Sequence, residues 1–329
     1  MLLIPAWGFT AEMRRKFPIF DGHQDIAFHL SYFRRDFVAP EIPCMITLPG
    51  LKKGNIKFIL NTIFVHPKLR PEKTVENANL QFQVYEDIYK EFASEIMKIE
   101  DKKDLDTAIN DNKIGFITLM EGADPIEQPD DLYKYYNKGL RVLGLAWNNK
   151  NEYASGPATK DGLSEKGKEI IQIMNELNIT LDLSHLNEKC FWQSLESYNH
   201  TPLATHSNVR KLTDHPRNLY DEQLKEISKR GGVIGIVLYN NFLKTTDDRP
   251  TLEDIYKHID YMLNLCGEDH VGIGSDLDGA EIKDFPKEIR TIANLQKIPE
   301  YLSKKGYSDD LIKKISHDNF LRVIRYNLN

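Results

Sequence analysis

The chain has 329 residues, 41% apolar, 28% charged and 10% aromatic, which excludes disorder and suffices for one large α/β core. Its 43 basic and 49 acidic side chains leave a formal net charge of −6, with no long basic run, so no nucleic-acid partner is expected. No stretch approaches the ~20 apolar residues that span a bilayer, so no membrane partner is expected either.

At the N-terminus the apolar run from Leu2 to Phe9 precedes Arg14-Arg15-Lys16, the reverse of the order in a signal peptide. Residues 1–16 read as an N-terminal extension, and the protein as cytoplasmic. Cys44, Cys190 and Cys266 are odd in number and widely spaced, so they form no disulfide framework. Short apolar runs follow at 19–22, 58–64, 114–120, 142–146, 179–184, 203–205, 233–238 and 271–274. Several are near-continuous, as parallel strands buried on both faces are. Helical stretches lie between them. Leu80, Val84, Ile88 and Phe92 recur every four residues, and 163–177 has Ser164 as a candidate N-cap. The tail over 308–326 carries Leu311, Ile315 and Leu321 as an apolar face. Eight strand–helix units in roughly 310 residues predict a distorted, TIM-like (β/α)8 barrel, one domain over 17–329. A doubly wound sheet would carry a Gly-rich phosphate turn, and the sequence has none.

A barrel of this kind keeps its reacting groups at the carboxyl ends of its strands. The first predicted strand runs into Asp21-Gly22-His23-Gln24-Asp25, the third into Glu121-Gly122 and the fourth into Trp147-Asn148. The fifth ends Asp182-Leu183-Ser184-His185, the sixth Ala204-Thr205-His206-Ser207, and the seventh Tyr239-Asn240-Asn241. The eighth ends Gly274-Ser275-Asp276-Leu277-Asp278-Gly279. In an extended segment residues i and i+2 point the same way, so His23 and Asp25 can bind one ion together. With Glu121, His185 and His206 they form a donor set of imidazoles and carboxylates suited to zinc and its neighbours. One glutamate can bridge two such ions. Asp276 and Asp278 also point the same way, and spacing does not separate them. Ser184-His185 is no triad, and the remaining histidines read as structural.

These motifs, with Pro216-Arg217-Asn218, resemble those of the membrane (renal-type) dipeptidases and their bacterial relatives, binuclear-zinc enzymes of the metal-dependent amidohydrolase group. The resemblance runs over 17–329 with the motif order kept. It implies that His23, Asp25 and Glu121 hold one zinc and that Glu121, His185 and His206 hold the other. It makes Asp276 the proton-transferring carboxylate and puts Arg217 and Tyr239 against substrate. The implied activity is hydrolysis of small dipeptides by hydroxide generated at the metal pair, and a homodimer is the implied assembly. One departure stands out. Where the renal-type enzyme has histidine in a Thr-His-Ser stretch, this chain has Ala146-Trp147-Asn148, and Trp147 is read as a wall of the substrate pocket. Gln24 also stands where Asn is usual. The alternatives are a related hydrolase of another small amide, lactone or cyclic substrate, and a catalytically silent binding barrel. The silent barrel predicts a lost ligand, and none of the five is lost.

Overall fold

The computed structural model describes residues 16–41, 44–246 and 248–329. Of the expected N-terminal extension, residues 1–15 lie outside the described residues. Among the described residues nine strands occur: β1 (Ile19–Gln24), β2 (Ile56–Phe64), β3 (Ile96–Lys98), β4 (Ile114–Glu121), β5 (Leu140–Gly144), β6 (Thr180–Asp182), β7 (Leu203–Ala204), β8 (Val233–Ile236) and β9 (Val271–Ile273). All pairings among these strands are parallel. β2 pairs with β4 over seven residues, β4 to β9 follow in order, and β9 returns to β1 through Asp21 and Ile273. Eight strands thus close a barrel, as the sequence predicts. The unpredicted β3 pairs only with residues 114–116 of β4, below the stretch that β5 covers.

Alternation along β4 shows how the fold aims its chemistry. Phe116 and Met120 face the outer core, against the helices, while Ile117 and Leu119 join Phe20, Phe58 and Leu60 inside the barrel. Period 2 then carries Glu121 inward at the strand's carboxyl end. On β1 the register shifts between Asp21, opposite Ile59, and Gln24, opposite Asn61. Such an irregularity re-aims side chains, and His23 and Asp25 lie in and just beyond it. The amino end of the barrel is plugged by Phe320, whose ring stacks on Phe20 at 5.4 Å. A Cβ on Gly22 would lie 2.6 Å from that ring and 2.8 Å from the Thr205 carbonyl, so the motif's second residue has room only for glycine.

Two helical faces differ from expectation. In the helix Thr74–Glu91 the buried side chains are Thr74, Ala78, Gln81, Phe82, Tyr85 and Ile88, while Leu80 is 48% exposed. Of the predicted stripe, Ile88 is buried and Val84 and Phe92 pack against the core, but the buried face is displaced from Leu80 because polar groups also bind there. Gln81 Oε1 accepts from Phe64 N at 2.9 Å, and the Tyr85 hydroxyl donates to the Thr62 carbonyl at 2.9 Å. In the tail a π-helical turn, Lys314–Asp318, separates Asp309–Lys313 from Asn319–Asn327. A wider turn rotates the following face, so Ile312, Ile315, Phe320, Val323 and Ile324 are buried, while Leu311 and Leu321 are only partly so. Ser164 does cap its helix, Glu165–Leu177, accepting from Gly167 N at 3.0 Å.

Candidate active site

The five predicted metal-ligating side chains converge at the carboxyl end of the barrel. Glu121 Oε1 lies 2.9 Å from His185 Nε2 and 3.4 Å from both His23 Nε2 and His206 Nε2. Donor atoms of His23, Glu121 and His206 fall within 4.8 Å of one another, and so do those of His23, Asp25 and Asp276. His23 belongs to both groups, and Asp276 stands beside Asp25 rather than apart from the ligands.

The backbone at this end is bent to aim these groups. His185, Asp276 and Asp278 have φ of 64°, 59° and 65°. A left-handed non-glycine residue costs about 1–3 kcal/mol, and such residues concentrate where function demands them. A hydrogen-bonded frame holds the bends. Asp21 Oδ1 accepts from Ser275 N at 2.8 Å and Asp21 Oδ2 from Ser275 Oγ at 2.5 Å; Gln24 Nε2 also donates to Asp21. That ties β1 to the loop after β9. Asp182 accepts from Thr205 N at 2.9 Å, Thr205 Oγ1 at 2.6 Å and Ser184 N at 3.0 Å, tying β6 to β7.

This frame sets the histidine tautomers. A carboxylate only accepts, so the Thr205 hydroxyl spends its one proton on Asp182 and must accept from His206 Nδ1, 2.9 Å away. Asn148 Oδ1 likewise accepts from His185 Nδ1 at 2.9 Å. Both rings therefore carry their proton on Nδ1 and present a lone pair on Nε2. Yet His185 Nε2 and His206 Nε2 are 2.8 Å apart. His23 Nε2, fully buried, has no hydrogen-bond partner among the described residues. Facing lone pairs beside a carboxylate repel one another unless a cation sits among them. The donor set fits a divalent ion.

The electrostatics agree. Burial, then Arg217, pushes His23 down to about 3, and burial holds His185 and His206 well below the usual imidazole range. Neutral imidazole is the ligand form. Burial raises Asp25 to about 6 and holds Glu121 and Asp276 well above the carboxylate range, with Asp25 adding to both. Three carboxylates gathered out of water need positive charge to stay ionised.

Around the cluster lies a cavity of about 550 Å3 lined by Glu121, Trp147, His185, Arg217, Tyr239 and Asp276, among others. Arg217 is buried and donates from Nη2 to the His206 carbonyl at 3.1 Å, while its Nε has no hydrogen-bond partner among the described residues. Burial lowers it to about 10, against the pull of Glu121, Asp276 and Asp182, so it stays charged at neutral pH. Tyr239 packs its ring 4.8 Å from Phe242, over which Arg217 also lies, at 5.4 Å. Trp147 sits 5.2 Å from Phe64 and 5.9 Å from His185, ring to ring. Asp276 and Asp278, inseparable by spacing, part here: Asp276 faces this cavity, whereas Asp278 Oδ1 accepts from Met45 N at 2.9 Å. The orienting roles of Asp182, Thr205 and Asn148 escape sequence reasoning, although the first two stand at strand ends beside the ligands. Phe64 ends the second predicted strand, whereas Phe242 gives no signal.

Residues 9–328 match the family model for membrane dipeptidase, peptidase family M19. A protein from the pqqA 5′ region of Klebsiella pneumoniae is 36% identical over 234 residues, spanning 68% of this chain and 85% of its own. An uncharacterized dipeptidase of Schizosaccharomyces pombe is 26% identical over 344 aligned residues, spanning 96% of this chain and 84% of its own. The fold also superposes on a metallopeptidase from Rhodobacter sphaeroides, solved with a phosphinate mimic of the dipeptide L-Ala-D-Ala, at a TM-score of 0.89. The two are 26% identical, and the match covers 95% of this chain and 100% of that one. Among the described residues no helix is long and apolar enough to cross a membrane.

Proposed function

As the chain belongs to the membrane dipeptidase family, peptidase family M19, we propose that its centre cleaves small dipeptides with two zinc ions held by His23, Asp25, Glu121, His185 and His206. Metal-dependent hydrolysis of dipeptides follows from membership itself; the ion identity, the ion number and the side-chain roles are the proposed part. The supporting observation is the 2.8 Å approach of two imidazole Nε2 lone pairs beside Glu121, which calls for a cation. Bound divalent ions supply Lewis acidity at the scissile carbonyl and lower the pKa of water toward neutrality.

The chain's own groups do the rest. Asp276 takes the proton of the attacking water and returns it to the leaving amine. It also holds the substrate's free amino group. Arg217 pairs its planar fork with the terminal carboxylate, a geometry guanidinium suits. A longer peptide has no free carboxylate at that point, so the pocket measures out two residues. Metal-loaded protein is expected to release amino acids from L,L or L,D dipeptides faster than it opens lactones or cleaves N-acyl amino acids. The opposite ranking in a release assay would favour the related-hydrolase reading.

Trp147 tests the shape of the pocket. Packed between Phe64 and His185, it serves this reading as a wall. Trp147→Phe should then keep both metals and reorder the dipeptides, with single substrates changing by roughly 10–200-fold. An indole donating to the tetrahedral intermediate would instead cost about 10²–10³ in turnover. Steady-state kinetics across the panel decides it. A uniform loss of turnover with the ranking unchanged excludes the wall.

A further inference from the structure

A second cavity, of about 600 Å3, opens beside the first and shares Asp25, Phe64, Gly279 and Ala280 with it. The two are lobes of one cleft. Arg35 lines the second lobe with its side chain 11% exposed, and its Nε and Nη1 are buried without a hydrogen-bond partner among the described residues. The guanidinium lies 5.1 Å over the Phe33 ring. Its nearest carboxylate, Asp278, is 3.6 Å from Nη1, and that oxygen already accepts from Met45 N at 2.9 Å. Lys283 at the rim pairs with Glu281 at 2.8 Å, while Lys68 adds a further cation. Buried guanidinium donors are costly to leave unmade, and an anionic acceptor is their strongest partner.

We propose that this lobe receives the side chain of the substrate's N-terminal residue and selects an acidic one, with Arg35 binding its carboxylate. The assignment rests on the dipeptidase reading above. There the terminal carboxylate goes to Arg217 and the free amine to Asp276. Gly279 and Ala280, just beyond Asp276, line both lobes, so the second lobe is open to the side chain of the residue whose amine Asp276 holds. Phe28, Phe64 and Met45 offer apolar surface for the methylene stem. A carboxylate fits better than a phosphate, because Asp25, Asp278 and Glu281 share the lobe and would repel a doubly charged group.

The test compares glutamate with its neutral isostere. Phosphinate dipeptide mimics carrying a Glu or Gln side chain at the N-terminal position are titrated calorimetrically into metal-loaded protein, and kcat/KM is measured for Glu-Ala, Gln-Ala and Lys-Ala. Glu should exceed Gln by about tenfold or more in both measurements, as charge-assisted pairing predicts. Arg35→Gln should bring the ratio near one, and Arg35→Lys should keep part of it. Each ratio is taken within one preparation, so a misfolded fraction cancels. Equal Glu and Gln in the wild type, a preference for Lys, or a ratio that survives Arg35→Gln overturns the assignment. Hydrolysis without Glu/Gln discrimination removes only the pocket. Discrimination by the mimics with no dipeptide cleaved supports the pocket and removes the dipeptidase reading.

Discussion

If the proposed pair of ions is bound, alanine at His185 or His206 should lower bound metal from two ions per chain to one and abolish nearly all dipeptide hydrolysis, while the fold survives. Each ring presents an Nε2 lone pair toward Glu121 because Asn148 or Thr205 holds the proton on Nδ1. Deleting either ring therefore removes a pre-oriented donor. The metal-free protein should not suffer, since the 2.8 Å contact between the two Nε2 atoms is repulsive without a cation. Its melting temperature should stay level or rise, whereas metal-loaded wild type should gain more on loading than either variant, by mass action on the folded state. The check is elemental analysis beside thermal melts with and without zinc. Two ions per chain in both variants would mean that these histidines are not ligands.

The strand ends that build this centre were legible because parallel barrel strands are continuous apolar runs, so the first polar group after each run is conspicuous. His23, Glu121, His185 and His206 all stood out in this way. Less legible was anything decided by the path of the chain between pairings. β3 has three residues and one neighbour, too short a run to register. The buried face of Thr74–Glu91 is held by Gln81 and Tyr85 through backbone carbonyls and amides, a use of polar groups that an apolar stripe hides. A π-helical turn moved the tail's face by a rotation that no residue type announces. Asp276 and Asp278 differ by which lobe of the cleft they meet, and each has left-handed φ, so strand alternation does not apply to them. Arg35 lies in a loop outside every motif, ion-paired at 3.6 Å with Asp278, and only buried donors without a hydrogen-bond partner among the described residues mark it.

Asp276→Asn should separate binding from chemistry. Asparagine adopts left-handed φ nearly as readily as aspartate, so the bend at 59° is preserved. It keeps a carbonyl oxygen facing the ligand cluster but takes no proton at neutral pH. Metal content should therefore hold near wild type while turnover falls on the order of 10²–10⁴-fold, the worth of a positioned proton-transfer group. The substitution also removes a charge from the place where the substrate's amine is held, so KM should rise alongside the fall in kcat. Asp278→Asn is the matched control: its φ of 65° is equally tolerated, and its side-chain oxygen can still accept from Met45 N. Turnover there should change far less, because Asp278 faces the second lobe and touches no reacting atom. Kinetics and metal analysis of the two variants, side by side on one dipeptide, decide the matter. Comparable losses in turnover would show that proton transfer is not confined to Asp276 and that the division of the cleft into a reacting lobe and a side-chain lobe is wrong.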